Sequence, residues 1–75
     1  MAVQFGRRLR AVRETTGISQ ERLAHICGLD RTYIGVIERG KKNPSLVTIV
    51  RIATGLQVDP AELVRGLAYE EGSAV

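Results

Sequence analysis

The chain has 75 residues, a single cysteine and a formal net charge of +3, from eleven Lys+Arg against eight Asp+Glu. That length holds one domain with one small core. A lone cysteine excludes an internal disulfide, and no apolar run approaches the roughly 18 residues of a membrane span. The start MAVQFGRRLR lacks the unbroken apolar stretch of a signal peptide, and an unpaired thiol suits a reducing interior, so a cytoplasmic location is expected. Two of the acids, Glu70 and Glu71, sit at the C-terminal end, which leaves the rest more basic still. A polyanion partner and a plain solvated basic surface both fit that charge.

Phe5, Leu9 and Val12 stand at i, i+4 and i+7, the spacing of a helix with one apolar face. This first helix is expected over residues 2–15, with Gly17 as its stop. Ser19 reads as the N-cap of a second helix, with Glu21 in its first turn and Leu23, Ala24 and Cys27 facing inward. Gly28 ends it. Asp30 then caps a third helix, whose buried stripe is Tyr33, Ile34 and Ile37 and whose stop is Gly40. At 100° per residue, that stripe leaves Arg31, Thr32, Gly35 and Val36 facing outward.

The loop Gly40–Lys41–Lys42–Asn43–Pro44 is polar and basic, and its proline disfavours helix at Asn43. Ser45 caps a fourth helix expected to reach Thr54, before Gly55, with Leu46, Ile49, Ala53 and Leu56 toward the core. Asp59–Pro60–Ala61–Glu62 opens a fifth helix, Glu62 completing a capping box, with Leu63, Val64 and Leu67 on it. Beyond Ala68 periodicity is lost. The expected organisation is one domain over residues 1–69 and a short frayed tail over residues 70–75. The fold class is all-α, a compact five-helix bundle without strands.

The second and third helices, joined at Gly28, have the size of a helix-turn-helix pair. Arg31 can bind guanine O6 and N7 bidentately, which is worth about 1–3 kcal/mol of discrimination. Thr32 offers one hydrogen bond, and Val36 an apolar contact to a thymine methyl. Gly35 fits a close approach of backbone to DNA or close packing on another helix equally well. Each of these also has the plainer reading of an ordinary surface residue. Val47, Val50, Val64, Leu67 and Tyr69 are apolar groups beyond what a small core needs, and they form a candidate dimer interface. His25 and Cys27 stand alone on different helix faces and make no metal site. No nucleophile–base pair, paired carboxylates or phosphate loop is present, so neither an enzyme nor a cofactor is expected.

SQ-x-x-LA at residues 19–24, Ile34 with the ending Ile37–Glu38–Arg39–Gly40, and Pro44–Ser45–Leu46 together resemble the lambda repressor and Cro-like family, also called XRE. The resemblance runs from about Phe5 to Leu67. LDRTYI at residues 29–34, followed by IERG, is similar to one branch, the controller proteins of restriction–modification systems. It implies a lambda-repressor-like DNA-binding domain acting as a homodimer on an inverted-repeat operator, with double-stranded DNA and RNA polymerase as partners and no small-molecule ligand. Base readout then falls to Arg31, Thr32 and Val36, and backbone contacts to Gln20, Tyr33, Arg39, Lys42 and Asn43. Arg13 and Glu38 become a structural ion pair. Gly35 and Val36 depart from the polar residues that relatives carry there, which shifts the expected readout toward Arg31, Thr32 and DNA shape. The alternative is the antitoxin half of a toxin–antitoxin pair, against which the stretch after Ala68 is short.

Overall fold

Leu9, Leu23, Ile34, Ile37, Ile52 and Leu63 are wholly withdrawn from solvent in the computed structural model, which describes residues 1–69. They come from five helices: α1 (Ala2–Thr16), α2 (Gln20–Cys27), α3 (Arg31–Glu38), α4 (Leu46–Leu56) and α5 (Ala61–Val64). Each helix supplies at least one. Phe5, Ala24, Cys27, Ala53 and Leu56 complete a single core. α1 packs on α3 and α5, while α2 packs on α3 and α4. Among the described residues no strand is present, and no helix is long and apolar enough to cross a membrane. The expected tail at residues 70–75 lies outside the described residues.

Short helices are marginal alone, so local caps and tertiary packing set their limits. Ser19 Oγ accepts from Arg22 N–H at 3.0 Å and Ser45 Oγ accepts from Thr48 N–H at 3.1 Å. Two glycines lie where helices nearly touch. A Cβ on Gly6 would meet the Ile37 and Glu38 carbonyl oxygens at 2.5 and 2.6 Å, so α1 can cross α3 this closely only without a side chain there. A Cβ on Gly55 would meet Cys27 Sγ at 2.6 Å.

The Gly55 contact explains a difference from expectation. α4 does not stop before Gly55 but continues to Leu56, and the left-handed terminating residue is Gln57, at φ 59°. Gly55 is needed for the crossing with α2, not for the stop. The roll of α4 differs as well. Ile52, Ala53 and Leu56 are buried with Ile49 half-buried, whereas Leu46 is 75% exposed. The buried arc centres on Ile49 and Leu56, and Leu46 lies roughly 70° round from that centre at 100° per residue.

α5 is one turn long. Asp59 Oδ1 accepts from Ala61 N–H at 2.8 Å, as a cap should. Glu62 completes no capping box, because its carboxylate pairs with Arg65 at 2.9 Å and Arg8 at 3.8 Å. The chain turns out of the helix at Arg65, so Leu67 lies beyond it, half-buried against the core.

Candidate nucleic-acid interface

The turn between α2 and α3 is built by Gly28. Its φ of 68° is a conformation that side chains resist. The Gly28 and Leu29 N–H groups donate back to the His25 and Ala24 carbonyls at 3.3 and 2.9 Å. Asp30 Oδ1 then accepts from Thr32 N–H at 2.7 Å, and the Asp30 carbonyl accepts from Tyr33 and Ile34. These bonds launch α3 in a fixed direction. Ile34 and Ile37, both wholly buried, fix its roll.

With that roll, Arg31 and Thr32 are exposed at the N-terminal end of α3, while Tyr33 and Val36 are half-buried. Tyr33 leans on the core. Arg39, Lys42 and Asn43 are exposed where α3 gives way to the loop. Gly40, at φ 73°, has Val3 Cα 2.7 Å from where its Cβ would stand, so the basic loop is held against the start of α1. Among the described residues, Arg31, Arg39, Lys41 and Lys42 have no carboxylate within ion-pair distance. Cations left uncompensated on α3 and the loop after it attract a polyanion.

Behind this surface, Arg13 and Glu38 meet in a two-pronged pair. Nε donates to Oε2 at 2.6 Å and Nη2 to Oε1 at 3.0 Å. Their side chains are 11% and 3% exposed. Arg13 Nη1 also donates to the Ile18 carbonyl at 2.8 Å. The hydrogen bond to Glu38 raises the Arg13 pKa above its ordinary value, against an opposing effect of burial. Glu38 Oε1 accepts a further bond from Gln20 Nε2 at 3.0 Å. A carboxylate only accepts, so the Gln20 amide is oriented with its nitrogen inward. One carboxylate thus ties α1, α2 and α3 together.

Gly35 departs from expectation. It is buried rather than facing outward. The space beside its Cα holds Arg39 Nη1 and Gln20 Oε1, 3.1 and 3.7 Å from where a Cβ would stand. Sequence reading missed this, together with Arg51 of α4, whose Nη2 donates to the carbonyls of Cys27 and Gly28 at 2.7 and 3.3 Å and so caps the C-terminal end of α2. The Arg51 cap has no periodic signal, and the i, i+4 spacing of Gly35 and Arg39 does not by itself reveal which side chain lies over the glycine. The cysteine beside that cap is buried, which pushes its thiol pKa up, partly countered by Arg51.

Among the candidate dimer residues, Val47 is 69%, Val50 43%, Val64 40% and Tyr69 69% exposed. Val47 and Val50 line an open groove of about 530 Å³ together with Ile26, Leu46, Arg51 and Thr54. Ile26 and Leu46 are exposed apolar side chains that the sequence reading did not place there.

Residues 4–65 match the family model described as a helix-turn-helix domain, and the chain belongs to this family of DNA-binding transcription regulators, which are not enzymes. Its relatives include the control protein C.MunI of a Mycoplasma species, 42% identical over 69 residues, which span 91% of this chain and 93% of that protein. The control protein C.BamHI of Bacillus amyloliquefaciens is 46% identical over 61 residues, 80% of this chain and 75% of its own. Among solved structures, the restriction–modification controller protein C.AhdI of Aeromonas hydrophila superimposes with a TM-score of 0.80 at 53% identity, covering 83% of this chain and 94% of that one.

Proposed function

We propose that the protein is a controller of restriction–modification genes, acting as a homodimer on an inverted-repeat operator. The observation that carries this reading is the exposed pair Arg31 and Thr32 at the start of α3, on a helix whose roll is fixed by Ile34 and Ile37. An α-helix presented in this way fits the major groove and reads base edges from its first residues. Arg31 takes guanine, Thr32 a neighbouring base, and Val36 a thymine methyl. Tyr33, Arg39, Lys42 and Asn43 hold the phosphates on either side, and Gln20 reaches them only through the amide hydrogen that it does not give to Glu38. The names of the similar control proteins support the choice of regulated genes.

A helix of this length reads only a few base pairs. Two copies related by a twofold axis double the site, and the operator repeats that symmetry. The apolar groove around Val47 and Val50, with Val64, Leu67 and Tyr69, supplies the surface on which a second copy docks in the cytoplasm. Bound at a promoter, the dimer represses by covering it or activates by touching RNA polymerase, according to where the operator lies.

The test is a binding titration with duplexes taken from upstream of the protein's own gene and of a linked endonuclease gene. The expected result is a saturable complex of two chains per duplex, preferred over random DNA by at least about a thousandfold. Equal affinity for these duplexes and for random DNA would remove the assignment.

A further inference from the structure

We propose that Gly35 is a positioning residue for DNA binding: its missing side chain is the seat that holds the Arg39 guanidinium across the outer face of α3, beside Gln20. The inference rests on the reading above that Arg39 meets the DNA backbone, and it adds why Arg39 is in place to do so. A long side chain on a helix leans back toward the N-terminus, over the residue four positions earlier. For Arg39 that residue is Gly35. Arg39 Nη1 lies 3.1 Å and its Cζ 3.9 Å from the point where a Gly35 Cβ would be. A side chain there would take up this space, so the guanidinium would have to shift.

The opposite wall of the seat is equally well defined. Gln20 Oε1 is 3.7 Å from the same point. Its amide cannot turn freely, because Nε2 is committed to Glu38, and Glu38 is committed to Arg13. The Gln20 oxygen therefore lines the seat beside the guanidinium, which makes no hydrogen bond to it and has no carboxylate partner among the described residues. Arg39 itself remains exposed while Gly35 beneath it is buried. The result is a cation that is placed rather than free to sweep, which lowers the ordering cost of meeting a phosphate.

Glycine in the middle of a helix is otherwise a liability, because it destabilises the helix relative to alanine. The φ of Gly35 is not left-handed, so the backbone gives no reason for it. Stability and binding should consequently move in opposite directions on substitution. In Gly35→Ala the added methyl meets only the flexible ends of Arg39 and Gln20, so the protein folds with a Tm equal to or above that of the parent. Its operator affinity falls about tenfold, the loss of one charge-assisted hydrogen bond. The salt slope also becomes shallower by about one ion, as for a lost phosphate contact.

The experiment is a double-mutant cycle of Gly35→Ala and Arg39→Ala, read by fluorescence anisotropy on operator DNA at several salt concentrations, with Tm measured on each variant. The expected result is that both single variants lose affinity and salt slope, and that Gly35→Ala costs nothing further once Arg39 is alanine. If Gly35→Ala costs the same with and without Arg39, the methyl is meeting DNA directly and the seat is overturned. If Arg39→Ala loses affinity while Gly35→Ala does not, the seat alone is overturned and the backbone role of Arg39 stands. If Arg39→Ala loses nothing, both fall.

Discussion

Arg13 of α1 and Glu38 at the end of α3 are joined by two parallel hydrogen bonds, at 2.6 and 3.0 Å, with both side chains almost out of solvent. Buried pairs of this kind give little net stability when they form, since both charges must be stripped of water, but removing one partner strands the other. Glu38→Ala should therefore lower the unfolding free energy by about 3 kcal/mol. Urea denaturation measures this. The exposed pair Arg10–Glu14, at 3.3 Å, is the internal control: Arg10→Ala should cost under about 0.5 kcal/mol.

Cys27 gives a pH dependence with a defined sign. Burial raises its thiol pKa above the ordinary value of 9.0 in the folded protein. The neutral thiol is thus favoured by folding. This contribution to stability is fully present below the unfolded pKa and is lost as pH rises through the raised folded value. Stability of the parent should fall on the alkaline side of pH 9.0, and more steeply than that of Cys27→Ala. Parallel thermal melts from neutral pH upward read the difference between the two curves.

Much of the fold was legible because its punctuation is local. Ser19, Asp30 and Ser45 sit directly before α2, α3 and α4, and each side chain accepts the backbone N–H that a cap should. The roll of α3 was legible for the same reason, since Ile34 and Ile37 leave little choice of inward face. Gly55 was misread because a glycine that ends a helix and a glycine that admits a neighbouring helix look alike in one sequence. Only the position of Cys27 Sγ tells them apart. Leu46 and Ile52 could not be sorted by periodicity, because the buried arc of α4 depends on where α2 and α5 press against it. The contact of Gln20 with the Gly35–Arg39 turn, and the cap that Arg51 places on α2, join residues distant in sequence without any repeating pattern.

The apolar groove between α2 and α4 gives a third prediction. Val47 is 69% exposed there, beside Leu46 and Val50. A carboxylate placed between two apolar faces would be stripped of water, and Arg51, one turn further on, is already committed to the Cys27 and Gly28 carbonyls, so the cost is several kcal/mol. Val47→Glu should keep the helical circular dichroism of the parent and halve the mass seen by size-exclusion with light scattering. An unchanged dimer mass would exclude Val47 from the interface.

Substitution of Arg31 tests whether this residue reads bases or only meets phosphate. It is exposed at the start of α3, next to the Asp30 cap. Arg31→Ala should weaken binding to the operator by about 1–3 kcal/mol per half-site and leave random-DNA binding nearly unchanged. Competition titrations at fixed salt measure both. Equal losses on the two DNAs would make Arg31 a backbone contact.

Selection of tight binders from a pool of random duplex DNA tests the central claim most directly, because it presupposes no target. Two copies presenting α3 should enrich an inverted repeat whose half-site centres lie about 34 Å apart, one helical turn or a multiple of it. A pool that stays random after repeated rounds, or that converges on a single unrepeated site, would contradict it.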